Sequence, residues 1–246
     1  MPFRLPFILP LNAEPHRRNI QYAPCLSIGY NGTRNESKED SMVDRNDKRT
    51  VIGVFGSAAT PPDAPEYAAA QQLGAALARE GYAVMTGGYG GVMGAVSKGA
   101  AESGGHVIGV TVGLFRARGL APNPFLHEEV QFATLAERLN YLITAPDAYI
   151  ALHGGVGTLS EITLAWSLLQ VQEVPLRPLI AVGEGWRAFA EVFSAHAAIR
   201  PEDMGYLQVV PHVEAVLPTL RAWWANPPRI APRLGDVQKT PPLGDV

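Results

Sequence analysis

The chain has 246 residues, long enough for one large domain or two small ones with a substantial core. With 47% apolar and 17% charged residues and a formal net charge of −3, it reads as a soluble globular protein, with no basic stretch or basic helix face of the kind a nucleic-acid or anionic-membrane partner requires. The single cysteine, Cys25, excludes an intrachain disulfide and Cys-rich zinc sites and points to a reducing, cytoplasmic location.

Residues 1–49 are rich in Pro, Asn and charge, and 31–50 are too poor in apolar side chains to offset the entropy of ordering, so a disordered extension is expected there. The run Phe3 to Leu11 is broken by Pro6 and Pro10, has no small-residue cleavage site and is not read as a signal peptide. No apolar stretch approaches bilayer length. Val51-Ile52-Gly53-Val54-Phe55 has the character of a short buried strand. Asp63 and Glu66 form a capping pair for a helix over about 65–80, ended by Gly81. Tyr82 to Thr86 is the next strand; it runs into Gly87-Gly88-Tyr89-Gly90-Gly91 and a helix to about Ser103. His106 to Val112 is a third strand. Thr134-Leu135-Ala136-Glu137 is a second capping box and opens a helix carrying Arg138. A strand over 148–152, a helix from Thr158 to about Gln170, a strand Pro178 to Val182 and helices near 186–197 and 212–224 complete the series. Residues 227–246, with Leu-Gly-Asp-Val at 234–237 and again at 243–246, read as a flexible tail. Alternating strands and helices predict an α/β fold: over 50–226, a single doubly wound, Rossmann-like parallel sheet with helices on both faces.

In such sheets ligands bind beyond the carboxyl ends of the strands. Three turns fall at such ends: Gly56-Ser57, Gly87 to Gly91, and Gly154-Gly155-Val156-Gly157-Thr158. The last follows an apolar strand and opens a helix, an arrangement that presents backbone N–H groups and the positive end of the helix dipole to a phosphate. A Gly-x-Gly-x-x-Gly fingerprint is missing after the first strand, which runs into Gly56-Ser-Ala-Ala-Thr-Pro, and there is no Gly-x-x-x-x-Gly-Lys-Ser/Thr P-loop. With no His-Glu-x-x-His and six scattered histidines, no metal site is expected, and no cofactor is implied. His153 adjoins the third turn, as a phosphate donor or as a plain turn residue. Ser160 lies in no Gly-x-Ser-x-Gly elbow. Glu161 has two readings. Thr158-x-x-Glu161 fits a capping box, and the same carboxylate stands beside whatever the loop holds. Arg138 taken alone reads equally as a helix-surface arginine.

Together these segments resemble the LOG family of phosphoribohydrolases that activate cytokinins, over roughly residues 51–215. The family's Gly-Gly-Gly-x-x-Gly-Leu-Met-Gly segment is matched by Gly87-Gly88-Tyr89-Gly90-Gly91-Val92-Met93-Gly94. Its Pro-Gly-Gly-x-Gly-Thr-x-x-Glu is matched by 153–161 with His153 for proline, and its Asp-Ala-Phe-Ile-Ala-Leu by Asp147 to Leu152. Arg138 falls at the arginine of the family's Arg-Lys pair, with Leu139 for the lysine and Tyr89 for the third glycine. Molybdenum-cofactor carriers and nucleotide-binding relatives are similar over Gly157 to Ile162. The resemblance implies catalysis by Arg138 and Glu161, with a nucleotide or phosphate bound by Gly56, Ser57, Gly87, Gly88, Gly91, Met93, Gly154, Gly155, Gly157 and Thr158. The expected reaction is hydrolysis of the N-glycosidic bond of a nucleoside 5′-monophosphate, or else binding without catalysis. It further implies a homodimer or higher homo-oligomer, and the helix after Glu161, apolar almost all round, suits either an interface or a buried position.

Overall fold

The structure, a computed structural model, describes residues 49–228. The extension expected over 1–49 and the tail over 227–246 lie outside these residues, apart from 49, 227 and 228. The strands are β1 (Val51–Phe55), β2 (Ala83–Thr86), β3 (Val107–Val112), β4 (Glu128–Phe132), β5 (Ala148–Ala151), β6 (Leu179–Val182) and β7 (Leu207–Val210). They form one sheet in the order β4-β3-β2-β1-β5-β6-β7, and every pairing is parallel. The central strands β2, β3 and β5 are buried along their whole length, and their sequences are accordingly continuous apolar runs rather than alternating ones.

From β1 the chain steps outward through β2, β3 and β4, then returns to lay β5 on the other side of β1. That reversal opens a crevice at the carboxyl ends of β1 and β5. Helices α1 (Pro65–Arg79), α2 (Gly91–Glu102) and α8 (Val216–Ala225) pack on one face against Ile52, Val54, Val84 and Ile150. Helices α4 (Leu135–Thr144), α5 (Val156–Gln170) and α6 (Glu184–His196) cover the other face over Phe55, Met85, Ile108 and Tyr149. The alternation of inward-facing residues along each strand thus feeds two separate cores. Short helices α3 (Gly113–Ala117) and α7 (Pro201–Met204) and a 3-10 turn at Val213–Ala215 fill the connections. At the α1–α2 crossing a Cβ on Gly74 or Gly99 would run into the carbonyl of Val96 or Gln71, so these glycines set how closely the two helices approach.

Three local expectations are corrected. Helix α1 is capped by Ala64, with Pro65 in its first turn and no side-chain cap, so the Asp63–Glu66 pair does not form. The fixed φ of Pro65 starts the helix one residue later than Asp63 requires. Helix α5 begins at Val156 rather than Thr158. The edge strands β4 (Glu-Glu-Val-Gln-Phe) and β7 are additional; their polar or half-exposed positions hide them from a search for buried apolar runs. The Thr134 capping box does form, through both of its reciprocal bonds. Among the described residues, no helix is long and apolar enough to cross a membrane.

Candidate functional site

The three turns meet at the carboxyl edge of the sheet and are joined by backbone hydrogen bonds. Ser57 N–H donates to the His153 carbonyl at 2.9 Å, and Val92 N–H donates to the Ser57 carbonyl at 2.8 Å. The β1 turn is thereby the tie between the other two. Gly88 and Gly91 sit at φ of +80° and +62°, and a Cβ on Gly91 would strike the backbone of Ser57 and Ala58. Position 91 therefore needs glycine for both its conformation and its close approach. A Cβ on Gly56 would meet Val92, and one on Gly154 would meet the side chain of Thr158. The residues the resemblance nominated, Gly56, Ser57, Gly87, Gly88, Gly91, Met93, Gly154, Gly155, Gly157 and Thr158, come together on this rim.

Helix α5 starts with N-cap Gly155, no side-chain cap and no acidic residue in its first turn. Its first intrahelical bond to that cap is Leu159 N–H to the Gly155 carbonyl, leaving the N–H groups of Val156, Gly157 and Thr158 open for an anion. The other glycine-rich turn opens α2 with Gly90 as cap and no acid in the first turn, but there the Val92 N–H is already bonded to the Ser57 carbonyl.

Arg138 is 6% exposed and reaches across from α4. Its Nε donates to the Val110 carbonyl at 2.7 Å and its Nη2 to the Gly87 carbonyl at 3.1 Å. The guanidinium carbon lies 5.8 Å from the Tyr89 ring centre and 6.0 Å from that of Phe115, rings that meet edge to face. Tyr89 is held in turn by Val112, whose N–H donates to the phenol oxygen at 2.9 Å while the phenol donates to the Val112 carbonyl at 3.2 Å. The tyrosine that departs from the glycine-rich pattern is thus a wall of the arginine's slot. Burial lowers the Arg138 pKa, and Glu161 and Tyr89 pull it back up. Held by neutral carbonyls, the guanidinium keeps its charge and has N–H groups to spare.

Glu161 is 8% exposed, one turn inside α5. Because the helix starts at Val156, Glu161 is not at the third helical position, and the capping-box reading is excluded. Its carboxylate forms no hydrogen bond or close ion pair among the described residues. Burial raises its pKa to about 7, and the Arg138 charge acts in the opposite sense. The two side chains therefore share one electrostatic environment from different helices, α4 and α5.

Leu139 is half-buried and leans on the α4–α5 core, so no second cation takes the place of the pattern's lysine there. His153 contributes its carbonyl to Ser57, a role a proline would fill equally. Sequence reasoning missed Phe115 on α3 and Asn123, whose N–H donates to the Gly88 carbonyl and whose side-chain amide donates to the Tyr89 carbonyl. It also missed a cavity of about 740 Å³ on the other flank of the Gly154 turn, lined by α1, the ends of β5 and β6 and the start of α6. These contacts join distant segments and carry no local signature. No group of three or more His, Cys, Asp or Glu side chains able to hold a metal ion occurs among the described residues.

The model of the SLOG cluster4 family matches residues 49–173. A cytokinin riboside 5′-monophosphate phosphoribohydrolase of Mycobacterium tuberculosis is 33% identical over 172 residues, covering 68% of this chain and 91% of that protein. An uncharacterized protein of Archaeoglobus fulgidus is 36% identical over 145 residues, 58% of this chain and 89% of its own. Among solved structures, the molybdenum cofactor carrier protein of Chlamydomonas reinhardtii aligns with a TM-score of 0.56 at 26% identity, over 72% of this chain and 99% of its own. The molybdenum cofactor binding protein of Rippkaea orientalis has the same fold, with a TM-score of 0.57 at 24% identity over 71% and 96%. The chain belongs to the SLOG cluster4 family, within the LOG group of Rossmann-like proteins.

Proposed function

We propose that the protein hydrolyses the N-glycosidic bond of a purine- or cytokinin-type nucleoside 5′-monophosphate, giving the free base and ribose 5-phosphate. The observation that carries this reading is the buried Glu161 carboxyl, with its pKa raised to about 7, in the field of Arg138 and one turn beyond an open helix N-terminus. The likeness to phosphoribohydrolases of 33% identity supports it. The 5′-phosphate sits on the α5 N–H groups of Val156, Gly157 and Thr158, with Gly154 and Gly155 allowing its approach. Gly56, Ser57, Gly87, Gly88, Gly91 and Met93 shape the ribose side. Water adds to the anomeric carbon as the bond to the base nitrogen breaks, and the bonding pair leaves with the base. Glu161 stabilises the positive charge developing on the ribose and accepts the proton of the attacking water, which is then available to the departing base. The spare N–H groups of Arg138 hold the ribose or its phosphate, and no cofactor takes part.

The test is chromatographic detection of free base after incubation with AMP and with isopentenyl-AMP. Glu161→Gln is expected to slow release by about 10²–10⁴-fold. A wild-type protein that releases no base, or a Glu161→Gln variant as fast as wild type, overturns the reading. A carrier role is the second reading, favoured by the fold shared with the molybdenum cofactor carrier of Chlamydomonas reinhardtii. It needs the phosphate seat and not the Arg138–Glu161 pair, so it predicts ligand binding that is indifferent to Glu161→Gln.

We propose further that residues 50–226 are the working domain, acting in the cytoplasm as a homodimer or higher homo-oligomer. Exposed apolar side chains just beyond α5 support the assembly, with Val171 48% and Leu176 40% exposed.

A further inference from the structure

The cavity beside the Gly154 turn is not the space in front of Glu161. Its walls include Val156 and Leu159 of α5, whereas Thr158 and Glu161 do not line it. At about 100° per residue, the Val156/Leu159 pair and the Thr158/Glu161 pair point roughly 160° apart around α5. The open N-terminus of α5 lies between the two sides and is available to an anion approached from either.

At about 740 Å³ the cavity has the size of a small-molecule site. Its floor is apolar, with Ala69, Ala70, Val92 and Leu152, and one wall is the Trp186–Phe189 pair, set edge to face at 5.7 Å. Trp186 is fixed in place because its indole N–H donates to the Leu152 carbonyl at 3.0 Å. The lining contains no lysine or arginine; its acidic side chains are Glu66, Glu184 and Glu214. Glu184 is paired with Arg187 at 3.2 Å and Glu214 with His212 at 2.9 Å, whereas Glu66 sits exposed in the first turn of α1. Helix α5 has no such acid. One anionic group is therefore attracted to α5, and a second is repelled by Glu66, whose carboxylate accepts N–H donors.

We propose that this cavity is a second ligand compartment, which takes the flat, uncharged, amino-bearing heteroaromatic ring of a phosphomonoester whose single phosphate rests on α5. A ligand in this pose has its ring on the opposite side of α5 from Glu161, so it is bound without being cleaved. The inference shares with the proposed hydrolysis only the phosphate seat. Ser57 ties two residues of the cavity's lining together, through its bonds to His153 and Val92.

The experiment titrates AMP, ADP and inorganic phosphate into the Glu161→Gln protein, which removes turnover, with tryptophan fluorescence and calorimetry as readouts. AMP is expected to quench fluorescence, and the quench is expected to vanish in the added Trp186→Phe variant. Filling the cavity with Ala69→Phe is expected to weaken AMP on the order of tenfold or more through loss of the ring seat, leaving phosphate binding unchanged. ADP is expected to bind about tenfold more weakly than AMP, and Glu66→Lys, at an exposed position, is expected to narrow that gap. AMP binding with its quench intact in Ala69→Phe overturns the inference, as does the lack of any Trp186-dependent signal. Should Ala69→Phe not fold, an AMP-to-ADP ratio unmoved by Glu66→Lys overturns it instead. If wild type releases no base while these binding results hold, the hydrolase reading fails and the compartment stands. If base release proceeds and Ala69→Phe alters neither turnover nor AMP binding, the compartment alone fails.

Discussion

Glu161 is a residue held at a cost to the fold. Its folded pKa of about 7 lies above the ordinary 4.5, so between those values the folded protein keeps a proton that the unfolded chain releases. Stability contributed at this position is present below about pH 4.5 and is lost as pH rises through 7, a difference of about 3 kcal/mol. Glu161→Gln, which cannot ionise, is therefore expected to melt higher than wild type at pH 8 and to match it near pH 4.5; thermal melts across pH check this. In the hydrolysis reading the ionised form is the base, so kcat/KM for AMP rises with pH and levels off above about 7. Arg138 depends on its slot. Tyr89→Leu removes both the ring face and the phenol's paired bonds to Val112, and is expected to cost about 2 kcal/mol of stability and to weaken nucleotide binding. Tyr89→Phe keeps the ring and is expected to retain most of the binding, so comparing the two by calorimetry separates the contributions.

At the scale of the element, α5 carries the site. Its nine-residue opening was recognisable as a phosphate turn from glycine content and from the apolar strand before it. Its first residue was not. Thr158 has the chemistry of a cap, yet Gly155 takes that position because the glycine turn is already folded back on β5 and Ser57. Only that shift decides that Glu161 points into the protein instead of capping the helix. Gly154→Ala puts a Cβ against the buried Thr158 side chain at the start of α5, and is expected to lower phosphate affinity about tenfold and the melting temperature with it. Phosphate titration by calorimetry against a melting curve checks both halves. The α1 start shows the same limit from the other direction, since Pro65 overrides the Asp63 cap that spacing suggested.

For the whole molecule, the doubly wound class was readable because strands buried on both faces are continuous apolar runs separated by helices of ordinary length. The edge strands β4 and β7 were not readable, because one side of each has no neighbouring strand to bury it. The exposed apolar residues just beyond α5 carry a prediction at this scale. Val171→Glu or Leu176→Glu is expected to shift the protein to monomer in size-exclusion chromatography with light scattering, with its melting curve retained.

From sequence alone came the fold class and the three turns, because glycine spacing and apolar runs are local properties of the chain, while Arg138 and Glu161 were nominated through the family resemblance. Tertiary structure alone decided what those residues face. It brought Val110, Gly87, Tyr89 and Phe115 around Arg138. It buried Glu161 without a hydrogen-bond partner among the described residues and opened a cavity on the opposite flank of α5. Burial and charge coupling arise between segments far apart in the chain, and no short window of sequence contains both sides of such a contact.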